Sequence, residues 1–285
     1  MVDAVEQADI RGINVSSGVK GFVLEKMKLM QICLVEKSTN WREDYYQETS
    51  TQLTGGTGEG ISGVPRLAEF PYLEPTWTLK QSYHVKHAGM SVVSYEDEIS
   101  NAFDTIRRTI IRVGNAVAYS VDRAIYAKIT GDSDVNTAAA AATWDSATVA
   151  DRDPIGDLLR GIEELAIDNY DFLENGFILL SPTDYAHLMM NSKVINNPSF
   201  KTADVVSNGV VGKIVGGRII VSNGVDADEA AMLVGQMAVT YKELAPLQTS
   251  IENHPGIKKV ISAWTIGITQ IVHPKAIHVI TNTQA

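Results

Sequence analysis

The stretch Gly58-Glu59-Gly60-Ile61-Ser62-Gly63 has the G-x-G-x-x-G spacing that lets a backbone loop close around a pyrophosphate. That chemistry needs a buried strand entering the loop and a helix starting on it, with the helix's free N–H groups facing the phosphate. Neither flank qualifies. WREDYYQETSTQL upstream is charged and polar, and Pro65, Pro71 and Pro75 downstream forbid a continuous helix. The glycines therefore read as the pliable tip of a loop between two extended segments. A second glycine-rich stretch, VVGKIVGG, places a lysine after a glycine but lacks the rest of a P-loop. In VGGRIIVSNG, Gly216-Gly217 and Asn223-Gly224 read as turns bounding a strand.

The remaining candidates for chemistry also have structural readings. His84 and His87 are three apart, a spacing that gathers metal ligands on a helix, but the segment reads as strand, where they face opposite sides. Cys33 has no partner motif of a nucleophile and reads as a small hydrophobe. Asp151 and Asp153 fit loop and cap positions. Glu96, Asp97 and Glu98 fit a first helical turn, where the macrodipole favours negative charge. His273 and His278 flank a turn and read as surface or structural residues. No H-E-x-x-H or G-x-S-x-G occurs. No residue is assigned to catalysis, to a cofactor or to a metal, and the chain reads as a non-enzyme.

Composition narrows the class. With 285 residues, 45% hydrophobic and 20% charged, the chain is long enough for one large domain or two modest ones with a real core. One cysteine rules out an internal disulfide framework. No apolar run approaches the roughly 20 residues of a membrane-spanning helix. The N-terminus, MVDAVEQADIRGINV, is polar and acidic, unlike a secretory signal. A net charge of −10 argues against tight sequence-specific nucleic-acid binding, which needs a basic face.

Residues 1–17 read as a loose arm and 19–36 as helix-like. Residues 41–85 read as a long two-stranded arm with the glycines at its tip. On its return strand Trp77, Leu79, Tyr83 and Val85 share a face at period two. An isolated hairpin is marginal in water, so a neighbouring subunit is the expected support. Ser94 and Asp97 form a capping-box pattern. From there Ile99, Phe103, Ile106, Ile110, Val113, Val117, Val121 and Ala124 predict one helix to about Thr130, stopped by Gly131 and roughly 50 Å long. Such a stripe needs a long partner surface, most simply a sheet.

Residues 131–153, with the alanine tract, read as an exposed irregular loop. Asp153-Pro154 predicts a cap and first turn for IGDLLRGIEELAIDN. Asn175-Gly176 predicts a turn into the strand FILLS, and Ser181-Pro182 with Asp184 predicts a second capped helix. IVGGRIIVSN and AAMLVGQMAVTYK read as further strands of this α/β unit. After it, SIENHPGIKKVISAWTIGITQIV and KAIHVITN read as the sheet that partners the long helix.

This order resembles the Hong Kong 97-type major capsid proteins of tailed bacteriophages. YEDEISNAFDTIRRTIIRVGNAVAYSVDRAIYAKITGD is similar to the family's spine helix, GFILLSPTDYAHLMMN to a strand-then-helix of its axial domain, GKIVGGRIIVSNGV with AAMLVGQMAVTY to a later segment of that domain, and AWTIGITQIVHPKAIHVIT to its closing strands. The likeness begins near residue 35 and rests on the order of several stretches.

The resemblance implies an α+β fold. Its parts are an N-terminal arm and helix over 1–38, an extended β-hairpin loop over 39–88, and a peripheral domain over 89–150 and 249–285. The spine helix spans about 95–130, and an α/β axial domain spans 151–248. It implies a major capsid protein that assembles as pentamers and hexamers into an icosahedral shell around double-stranded DNA. The virion is its place, after assembly in the host cytoplasm. Subunit-interface candidates are Gly55, Gly56, Gly58, Gly60, Gly63, Arg66, Trp77, Arg107 and Arg108. Implied partners are other copies of the chain, a portal, separate scaffolding or cement proteins, and packaged DNA held nearby without sequence-specific or high-affinity binding; no membrane is implied. Some members staple subunits through a lysine on the extended loop. Residues 42–79 contain no lysine and Lys80 lies at the base, so a non-covalent shell is expected. Some members also begin with a long scaffold segment, whereas the arm here is under twenty residues, which fits a separate scaffold or none. The alternatives are an encapsulin-like nanocompartment subunit with the same fold and a nucleotide-binding enzyme using GEGISG.

Overall fold

The structure, a computed structural model, describes residues 27–49, 64–70, 77–100, 105–195 and 213–285. The first described residues form a 3-10 turn over Leu29–Ile32, followed by strand β1 (Leu34–Lys37). The helix expected over 19–36 is therefore corrected across its described part. Leu29, Ile32 and Cys33 are buried, while β1 pairs in parallel with residues 240–243, so sheet pairing overrides the weak helical pattern.

Strands β2 (Arg42–Glu48) and β3 (Trp77–Tyr83) form the expected antiparallel hairpin. The chain then enters β4 (Val85–Ser94), α1 (Tyr95–Ser100) and α2 (Thr105–Thr130). Ser94 Oγ accepts the Asp97 N–H at 3.1 Å, the first half of the expected capping box. Helix α2 ends before Gly131, as expected. Its 26 residues span about 39 Å. Val113, Val117, Val121, Ile125 and Ile129 are buried along one face.

Residues 136–139 form strand β5, which pairs in parallel with the last strand. The loop expected over 131–153 is corrected here: the first alanines extend a sheet edge, and Trp144 is buried with its Nε1–H donating to Asp157 (3.0 Å). Helix α3 (Pro154–Ile167) is capped by Asp153, which accepts the Gly156 N–H at 3.1 Å. A short helix α4 (Phe172–Asn175) precedes strand β6 (Gly176–Leu180). Helix α5 (Pro182–Met190) is capped by Ser181, which accepts the Asp184 N–H (3.1 Å), and α6 (Ser192–Ile195) follows.

Strands β7 (Lys213–Ile214) and β8 (Gly217–Val221) turn at Val215-Gly216, with φ of 49° and 84°, one residue earlier than the glycine pair suggests. The remaining strands are β9 (Glu229–Val234), β10 (Val239–His254), β11 (Lys258–Ile271) and β12 (Ile277–Thr281).

Two larger sheets organise these elements, with orders β1-β10-β11-β4 and β5-β12-β9-β6-β8-β7. This corrects two expectations. AVTYK opens β10 and belongs to the four-stranded sheet, so the chain leaves the α/β unit between β9 and β10. A boundary at 248/249 falls inside one continuous strand. KAIHVITN forms β12 and belongs to the six-stranded sheet, beside β5 and β9.

The six-stranded sheet is buried on both faces. Phe177, Leu179, Ala231, Leu233, Ile277 and Val279 join the core shared with α2 and the four-stranded sheet. Their alternates Ile178, Leu180, Ala230, Met232 and Ile280 join a second core with Leu158, Leu165 and Leu188 of α3 and α5. Along β4 and the paired part of β11 the four-stranded sheet buries only the face under α2; at its other end both faces are buried, with Thr240 and Gln270 on the second.

Candidate assembly surface

The hairpin is inverted relative to an ordinary sheet ribbon. Register pairs Tyr46 with Leu79, Asp44 with Gln81 and Arg42 with Tyr83 on the outward face, where Trp77 also stands, and Glu43 with Ser82, Tyr45 with Lys80 and Gln47 with Thr78 on the inward one; Glu48, opposite Trp77 at the strand end, turns its carboxylate toward His273 in the body. Trp77 and Leu79 are each 52% exposed, and Tyr46, Tyr83 and Trp41 are exposed beside them. Large aromatic and aliphatic side chains held in water, with Asp44, Gln81 and Arg42 among them, mark a contact surface.

The inward face is polar and grips the body through polar groups. Gln47 is fully buried and donates through Nε2 to Asp132 Oδ2 at 3.0 Å. Lys80 Nζ lies 3.4 Å from Asp134 and 3.9 Å from Asp132. The Glu48 N–H donates to the Val272 carbonyl at 2.9 Å. His273 Nδ1 stands 3.3 Å from Glu48 Oε2, at ion-pair distance but outside hydrogen-bond geometry.

His84, between β3 and β4, meets Ser38 Oγ through Nε2 at 3.0 Å, with Glu43 at 3.9 Å. Ser38 also donates to Glu43. Burial holds His84 and His273 below the usual imidazole range, and their glutamates oppose that only in part. Buried Tyr45 Oη, Gln47 Oε1 and His84 Nδ1 have no hydrogen-bond partner, so this root is incompletely satisfied.

The uncovered face of the four-stranded sheet is the second surface. Register sets Val92 opposite Val260, Met90 opposite Ser262, Ala88 opposite Trp264 and Lys86 opposite Ile266. Met90 is 75% exposed, and Lys86 Nζ lies 5.5 Å above the Trp264 ring. The alternate residues Val93, Ile261 and Ala263 are buried under α2. Sequence reasoning missed this face, although its period-two signal is present in AGMSVV.

The predicted interface residues are dispersed. Gly55, Gly56, Gly58, Gly60 and Gly63, and with them GEGISG, lie outside the described residues. Arg66 is exposed in a turn closed by the Ala68 N–H donating to the Pro65 carbonyl (3.2 Å). Trp77 stands on the hairpin's outward face. Arg107 and Arg108 are exposed on the first turn of α2, a separate element.

The residues weighed for chemistry take structural places. Cys33 is buried and its thiol is pushed up to about 12 by burial, then by the Asp122 charge, which suppresses thiolate. His84 and His87 part company, since His87 Nδ1 meets Ser120 Oγ at 2.8 Å under α2. His278 is buried rather than a surface residue. Among the described residues, no group of three His, Cys, Asp or Glu side chains is placed to hold a metal ion, and no helix is long and apolar enough to cross a membrane.

Comparison with known proteins adds a family. A family model described as phage capsid protein matches residues 80–280. Among solved structures, the chain is similar to a virus-like particle protein from Pyrococcus furiosus, with a TM-score of 0.64 and 12% identity, covering 95% of this chain and 99% of that one. It is similar to the capsid protein of Cyanophage P-SCSP1u, with a TM-score of 0.62 and 15% identity over 99% and 90%. A structure from Mycobacterium phage Che8 gives a TM-score of 0.61 and 14% identity over 100% and 96%. No curated protein matches by sequence.

Proposed function

Because this chain belongs to the phage capsid protein family, we propose that it is a major capsid protein, assembling as pentamers and hexamers into an icosahedral shell around double-stranded DNA. The fold is mixed α+β and of the Hong Kong 97 type. In this reading α2 with the four-stranded sheet is the peripheral domain. The six-stranded sheet with α3 to α6 is the axial domain, and the β2–β3 hairpin is the extended loop. The observation that carries the reading is the hairpin's outward face: Trp77, Leu79, Tyr46 and Tyr83 are not covered by any of the described residues. A second copy that covers them supplies the burial a lone hairpin lacks. The uncovered sheet face around Met90, Val92 and Trp264 is the matching surface of a neighbour.

The subunit acts by geometry rather than by reaction. A rigid spine fixes the angle between copies, and a polar-rooted hairpin reaches outward to the next. Partners beyond the chain itself are a portal and separate scaffolding or cement proteins, with the virion as its place. Lys80 is held by Asp134 and Asp132 at the hairpin base, which favours a shell without covalent staples. Denaturing gels of mature particles are expected to show a single monomer band; ladders would contradict this.

The deciding experiment is electron microscopy of the purified chain after size-exclusion chromatography. Closed shells or capsomer rings are the expected result. A uniform monomer that stays monomeric with the scaffolding protein present would sink the reading. The likeness to a virus-like particle protein keeps a second reading in view, a shell around protein cargo. Nuclease-resistant duplex DNA inside particles separates the first reading from the second.

A further inference from the structure

The chain enters the hairpin through residues 38–41 and leaves it at His84. His84 is the one residue between β3, in the two-stranded sheet, and β4, in the four-stranded sheet. It ties the entry to the exit. Its backbone N–H donates to the Trp41 carbonyl at 3.1 Å, and its ring Nε2 meets Ser38 Oγ at 3.0 Å. The Trp41 ring lies against it, 6.4 Å between centroids. The imidazole is fully buried.

The surrounding hydrogen bonds fix where the ring carries its hydrogen. Ser38 has one hydroxyl hydrogen, and both the Glu43 carboxylate and the Asn40 carbonyl (3.1 Å) are placed to accept it. The hydroxyl oxygen therefore accepts from His84, so Nε2 bears the hydrogen and Nδ1 is bare. Nδ1 is buried and has no hydrogen-bond partner among the described residues. A second ring proton can go only there, where nothing accepts the new N–H bond. Glu43 stands 3.9 Å from Nε2, so it attracts the cation without meeting that bond. The other charges of the region are engaged elsewhere: Lys80 with Asp134 and Asp132, Arg42 with Asp44, Lys86 above the Trp264 ring, and His273 beside Glu48. Burial accordingly holds the His84 imidazole below its usual range.

Opening the junction would give Nδ1 a water to donate to. By linkage, a ring that binds protons more readily in an open form than in the closed one drives opening as pH falls. We propose that His84 is an acid-released clasp: a proton on Nδ1 parts the hairpin's entry from its exit while the spine helix stays folded. The clasp does not depend on the capsid reading. It is tested on the unassembled chain, so its failure and a failure to form shells are separate results.

The test is hydrogen exchange read by mass spectrometry at pH 7.5 and 5.5, each rate divided by its intrinsic value. Residues 38–43 and 82–85 should exchange about three- to tenfold faster at pH 5.5. About tenfold is the ceiling for one imidazole whose open-form pKa is near 6.5. Helix α2 should not change. His84→Gln keeps an N–H for Ser38 but cannot titrate, and should abolish the response. His273→Gln should leave it in place. Glu43→Gln removes the charge that favours a closed imidazolium and should extend the response to lower pH. Circular dichroism checks folding, and where His84→Gln does not fold, Glu43→Gln decides. If the chain is isolated only as shells, exchange is read on them with the same criteria. A wild-type change below about twofold, an equal change in α2, a response that survives His84→Gln, or none of the expected extension in Glu43→Gln overturns the proposal.

Discussion

Helix α2 and the β2–β3 hairpin lie on either side of strand β4 in the chain and are held by opposite chemistry. The helix is fixed by an apolar stripe, Val113 to Ile129, pressed between two sheets. Its one acidic residue, Asp122, is buried but satisfied: it accepts the Leu29 N–H at 3.1 Å and the Ser222 hydroxyl at 2.7 Å. The hairpin turns Glu43, Gln47, Lys80 and Ser82 inward with Tyr45, and leaves Tyr46, Trp77, Leu79 and Tyr83 outward, and three polar atoms at its root lack partners. Dense apolar packing has one good arrangement. A polar root with spare donors and acceptors has several of similar energy. The spine therefore suits fixed geometry, and the hairpin suits a contact that adjusts to differently placed neighbours.

The sharpest break in this comparison is Trp77→Ser with Leu79→Ser. Closed shells should be lost by electron microscopy, while the isolated chain's unfolding free energy stays within about 0.5 kcal/mol, as for surface sites. A large stability loss would mean that the hairpin face is core after all. Ile125→Ala in the spine should do the reverse to the monomer, costing about 2–5 kcal/mol in urea unfolding. Met90→Ala on the uncovered sheet face should change it by less than about 0.5 kcal/mol.

At the hairpin root, Gln47→Leu removes a donor from buried Asp132 and should cost about 1–3 kcal/mol locally. Hydrogen exchange should then rise in β2 and β3 and stay unchanged in α2. Equal rises in both would show that hairpin and spine form one cooperative unit.

The smallest effect is that of pH. Burial lowers the pKa of His84, His87, His273 and His278 in the folded chain. Each then binds protons more readily unfolded. Its stabilisation is present above about pH 6.5 and is lost as pH falls from there toward the folded pKa. Asp122, Asp184 and Glu229, raised chiefly by burial, work against this, since they bind protons more readily folded. A modest fall in Tm between pH 7 and 5 is expected. A rise would show that the buried carboxylates dominate.

Local signals carried much of the fold. Asp153 and Ser181 announce their helices because a cap is settled by a side chain and backbone a few residues apart. The α2 stripe and the hairpin's outward face are equally legible, since each repeats at the period of its own element. The described part of the helix expected over 19–36 failed because an isolated amphipathic pattern does not reveal a strand partner some two hundred residues away, at Thr240–Glu243. The alanines at 138–139 failed for the same reason: only the neighbouring β12 makes them a strand.

By itself, then, the sequence determined most of the elements and their order, the absence of a recognisable catalytic motif and the likeness to a capsid subunit. Only the tertiary structure decided which sheet each late strand joins. AVTYK and AAMLV are adjacent in the chain yet lie in different sheets, and β12 joins β5 and β9 rather than β11. Hydrophobic alternation says that a strand is buried, not against what, because apolar attraction is non-directional. The polar hairpin root and the open sheet face are assembled from segments far apart in sequence. They come into existence only when those segments are brought together.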